Sequence, residues 1–60
     1  MPNLNQSEFN SIREIAGAHQ TMACKLKDYS NQCQDPHIKQ MFSQASDSAK
    51  QSAQKLTDML

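Results

Sequence analysis

Along the first half of the chain, apolar and small residues recur at Phe9, Ile12, Ala16, His19, Ala23, Leu26, Ser30 and Cys33. The steps alternate between four and three, the spacing of a helix seam. In the second half the same rhythm returns at Ile38, Phe42, Ala45, Ala49, Ser52, Leu56 and Met59. Between the two runs stands Asp35-Pro36. Proline disfavours helical backbone in the residue before it, so a first helix must end by about Gln34. Asp35 is a strong N-cap, and Pro36 suits the first helical position because its missing N–H would be unpaired there anyway. The pair predicts a corner, with one helix over about residues 7–34 and a second over about 36–60. At the start of the first helix, Asn5 or Ser7 can cap the free amides, with Glu8 in the first turn.

A connection this short makes neighbouring helices antiparallel. If the two seams face each other, the numbers of facing residues add to a constant, and in this register the constant is 68. Phe9 then meets Met59, Ile12 meets Leu56, Leu26 meets Phe42 and Ser30 meets Ile38. The expected fold is all-α: one antiparallel two-helix hairpin filling residues 1–60. Its core is Phe9, Ile12, Leu26, Ile38, Phe42, Leu56 and Met59, with a thin waist at Ala16, His19, Ala23, Ala45, Ala49 and Ser52.

A second apolar line widens the stripe. Ile15, Met22 and Tyr29 are spaced by sevens beside the first seam, and Met41, Ala53 and Leu60 flank the second. Two helices facing only each other would leave these residues in water. The excess points to third and fourth helices, most simply from a second copy that completes a four-helix bundle. The six residues Ile15, Met22, Tyr29, Met41, Ala53 and Leu60 are the expected self-association or partner surface.

Composition narrows the chemistry. Six basic and six acidic residues cancel to a net charge of 0. That balance lacks the electrostatic footprint of a nucleic-acid binder. No apolar run is long enough for a transmembrane span or a signal-peptide core, which makes an intracellular, cytoplasmic protein the default expectation. A chain of 60 residues buries only about 60% of its unfolded surface and is marginal alone. Such scaffolds lean on a disulfide, a metal or a partner subunit.

Helical bundles often hold di-iron centres built from inward glutamates and Glu-x-x-His pairs. Here Glu14, Asp28, Asp47 and Asp58 fall off the core lines, and no Glu-x-x-His occurs. Only His19 lies inward, expected as a core-edge histidine bonded to Ser48 or Ser52. Cys24 and Cys33 are roughly 13 Å apart on one helix, too far to bridge. Cys33 and His37 are too few for a structural zinc site unless a dimer doubles them. No Ser-His-Asp order and no glycine-rich phosphate loop is present, so no enzyme activity, metal or cofactor is expected.

The stretch GAHQTMACKLKDYSNQCQDPHIKQMFSQ, residues 17–44, carries a His-Gln pair, a tyrosine ten residues later, a Gln-Asp-Pro corner and an Ile-Lys-Gln-Met-Phe start. In these features, above all Asp35-Pro36 with Lys39, it resembles the small spore coat proteins of the coat protein F (CotF-like) family. The resemblance spans about Phe9 to Leu60. It implies a ferritin-like helical bundle and a structural or packing role in the spore coat, with other coat proteins as partners. Iron chemistry is not implied, because the carboxylates of iron-binding relatives are missing. The expected function is therefore a non-catalytic structural protein that self-associates. The alternative is a regulatory module whose apolar stripe docks on a helical partner. A weaker one is a degenerate metal binder using His19, Cys33 or His37 across a dimer.

Overall fold

A computed structural model of the chain describes residues 3–60; Met1 and Pro2 of the expected N-terminal lead lie outside the described residues. Two helices, α1 (Gln6–Gln32) and α2 (Pro36–Asp58), pack against each other as a hairpin. No strand is present among the described residues.

Both helix starts are fixed by side chains. At α1, Asn5 Oδ1 accepts a 2.8 Å bond from the Glu8 amide, and the Glu8 carboxylate accepts a 3.1 Å bond from the Asn5 amide. This reciprocal capping box satisfies two donors that have no partner within the helix. At α2, Asp35 Oδ1 accepts from the amides of His37 at 2.8 Å and Ile38 at 3.3 Å, with Pro36 in the first turn. The extended backbone of Cys33 and Asp35 turns the chain between the helices.

The hairpin is held by a line of small residues. Those buried are Ala16, Ala23 and Ser30 on α1, and Ser46, Ala49 and Ala53 on α2. Spacing by sevens brings Ala16, Ala23 and Ser30 to one stripe, faced by Ser46 and Ala53. Small side chains let the backbones come close, and two hydroxyls use that proximity. Ser46 Oγ donates to the Ala23 carbonyl at 2.8 Å, and Ser30 Oγ donates to the Lys39 carbonyl at 3.0 Å.

These bonds set the register. In both pairs the residue numbers add to 69, one more than the seam expected from apolar spacing. Helix α2 is correspondingly rotated. Ser46 and Ala53 occupy the centre of the contact at 1% exposure each, while Ala45 is exposed and Ser52 half-buried. Two expectations are thereby corrected. Ile38, expected in the core, is 46% exposed, because Ser30 bonds the backbone at Lys39 instead. Ala53, expected on the outer surface, is buried against α1. The other expected core residues (Phe9, Ile12, Leu26, Phe42, Leu56 and Met59) are half-buried rather than enclosed.

The Cα atoms fill a slab of 46 × 15 × 9 Å with a radius of gyration of 14.2 Å. A compact chain of this length would measure about 10 Å. The difference follows from having one layer of two long helices and nothing across it.

Candidate functional site

At about 100° per residue, positions flanking the α1 contact line fall on two sides. One side carries Ile12, His19, Leu26 and Cys33, then Ile15, Met22 and Tyr29. The other carries Arg13, Gln20 and Lys27. On α2, Phe42, Ala49 and Leu56 followed by Ile38, Ala45, Ser52 and Met59, with Met41 at the margin, lie to one side. Ser43, Lys50 and Thr57 lie to the other. Antiparallel helices are related by a two-fold axis normal to their common plane, so equivalent flanks share one face of the slab. The Tyr29 and Phe42 rings confirm this: they meet across the groove with centroids 5.9 Å apart, tilted by 53°. Such a tilted aromatic pair is a favourable arrangement.

The slab thus has one apolar broad face and one polar broad face. Every large apolar side chain of the apolar face keeps part of its surface in water. Ile15 is 47% exposed, Met22 55%, Tyr29 51% and Met41 68%. Ile38 joins them by the register change, and Leu60 is exposed beyond the end of α2. Of the six residues expected as an association surface, Ile15, Met22, Tyr29, Met41 and Leu60 are exposed, and Ala53 is not. Sequence spacing missed Ile38 because its neighbour Lys39 contributes a backbone carbonyl to the contact, which side-chain hydropathy does not register.

The face is bulky at its ends and thin in the middle. Ile12, Ile15, Leu56 and Met59 stand at the open end; Leu26, Tyr29, Ile38, Met41 and Phe42 stand at the corner end. Between them lie His19, Met22, Ala45, Ala49 and Ser52. His19 does not bond a serine hydroxyl, as expected from sequence; its Nδ1 lies 2.9 Å from the Ile15 carbonyl one turn earlier. A carbonyl only accepts, so Nδ1 carries the hydrogen and Nε2 is the bare nitrogen of the neutral ring.

Among the described residues, no three His, Cys, Asp or Glu side chains gather where a metal could bind. Cys24 is exposed and Cys33 half-buried, and both are free thiols. No helix among the described residues is long and apolar enough to cross a membrane. The geometry that stands out is a surface rather than a pocket. Compared with protein families, curated proteins and solved structures, the chain shows no significant match.

Proposed function

We propose that this protein is a non-catalytic structural element that works by self-association, pairing its apolar face with that of a second copy to complete a four-helix bundle. The carrying observation is that the hairpin encloses only alanine and serine, while its large apolar residues crowd one open face. Burial of alanine contributes little; burying a Leu, Ile, Phe or Met contributes about 1.5–3 kcal/mol each. Most of the stabilisation this sequence offers is therefore unused in a single hairpin.

Surface area favours a second copy as the occupant. A compact chain of 6.8 kDa exposes about 4,000 Å² by the usual scaling. This chain exposes 4694 Å², an excess of roughly 700 Å². Specific dimers bury about 800 Å² per partner. One face-to-face contact between copies removes about that excess and covers the groove along its whole length. The spore coat as the setting rests on the resemblance of residues 17–44 alone, and other coat proteins would then meet the dimer on its polar faces.

Sedimentation equilibrium in reducing buffer over a wide concentration range tests the reading. The expected result is a dimer that the double substitution Met22→Gln/Met41→Gln weakens at least about tenfold, the effect of losing about 1.4 kcal/mol or more at an interface. Lys27→Gln, on the polar face, leaves it unchanged. A helical monomer at all concentrations overturns self-association and leaves the face open for a helical partner of another sequence.

A further inference from the structure

Resting on that dimer, we infer that His19 makes the association pH-dependent: the neutral imidazole permits pairing and the protonated one opposes it. His19 is half-buried on the apolar face, between Ile15 and Met22 of its own helix. It is near the midpoint of the face, which runs from Phe9 and Met59 at one end to Cys33 and Ile38 at the other. A second copy can stack with its corner at the same end or the opposite end. With the corners at the same end the two His19 residues lie at one level; with the corners opposed they lie roughly 6 Å apart along the axis, still within the thin middle of the face. The two imidazoles therefore share the waist of the bundle in both orientations.

Nothing acidic faces them. On α2 the residues level with His19 are Ala49, Lys50 and Ser52; Ala49 is buried, Ser52 is uncharged and Lys50 belongs to the polar side. On α1 the flanking residues of the face are Ile12, Ile15, Met22 and Leu26. The partner copy presents the same residues, with Lys25 and Lys55 at the rims. The carboxylates nearest in height, Glu14 and Asp47, are exposed on other sides of their helices. Glu8 begins the Ile15 line but lies three turns away, roughly 16 Å along the axis.

Hydrogen bonding assigns the proton-accepting atom. With Nδ1–H held by the Ile15 carbonyl, added protons go to Nε2. Burying the resulting cation without a partner is costly, and two in one layer repel each other. The exposed monomer therefore binds more protons than the dimer. By linkage, dimerisation strengthens as pH rises and weakens as it falls through the range where imidazoles titrate, around pH 6.5.

The test is sedimentation equilibrium of the full chain at about pH 7.5 and about pH 5.5, spanning that range, with circular dichroism recorded alongside. The expected dissociation constant of the unaltered protein rises at least about tenfold at the lower pH; two linked protons allow up to about a hundredfold per pH unit. His19→Gln is expected to flatten the dependence, while His37→Gln, at the exposed corner, keeps it. A dimer indifferent to pH, or one whose His19→Gln variant responds as strongly, overturns the inference and leaves the self-association reading standing. A monomer at both pH values overturns both.

Discussion

The Ser46 hydroxyl and the Ala23 carbonyl meet at 2.8 Å across the hairpin, with both residues at 1% exposure. A serine at the centre of a helix contact is tolerable because its donor finds an acceptor within the opposite backbone. The small neighbours are what make that distance reachable. Enlarging them is expected to force the helices apart. Ala53→Leu should cost about 1–3 kcal/mol by overpacking, whereas Ser52→Leu, on the open flank, should cost far less. Urea unfolding followed by helicity ranks the two, and the reverse order would return the contact to the register with constant 68.

Thermal stability should depend on protein concentration. If folding energy is shared between copies, mass action stabilises the folded state as the chain becomes more concentrated. A tenfold increase is worth about 1.4 kcal/mol, which for so small a domain raises Tm by about 5 °C or more. Melting curves at two concentrations a hundredfold apart would expose a concentration-independent Tm, the outcome that a self-sufficient hairpin gives.

Gly17 is exposed in the interior of α1, and a Cβ built there meets nothing within 4 Å. Gly17→Ala should therefore stabilise the protein by about 0.5–1 kcal/mol, from reduced backbone freedom in the unfolded chain. Because residue 17 stands off the apolar face, the association constant measured under native conditions should not change with it.

Removing the corner cap should act in the opposite direction. Asp35 accepts from two amides of α2, and Asp35→Ala should cost about 1 kcal/mol. Asp35→Asn, which keeps the acceptor, should recover most of it. Equal losses in both variants would assign the effect to charge rather than to capping.

Much of this architecture was legible in the sequence because helices announce themselves locally. Asn5 with Glu8 three residues on, and Asp35 with Pro36, are signals that act within one turn. Half of the seam followed too: every position of the expected line from Phe9 to Cys33, the last just past the end of α1, is buried or half-buried. The rotation of α2 was not legible. Apolar spacing favours Ala45 over Ser46, since a lone serine is the poorer core residue. That preference reverses only when a specific carbonyl stands opposite, and which carbonyl does so is a property of the assembled pair. Ile38 moved outward and Ala53 inward for the same reason. Four residues of the apolar face, Ile15, Met22, Tyr29 and Met41, were anticipated, because a stripe wider than one seam is visible in spacing alone.

The slab has one water-shunning side, and this limits how far such a protein can build. If two copies pair as proposed, each spends its sticky surface, and both outward sides present Arg13, Gln20, Lys27, Lys50 and their neighbours. Growth would then stop at two. A layered material made from this unit needs a different mortar between dimers, and Cys24, exposed on α1 away from the apolar face, is left on the outside.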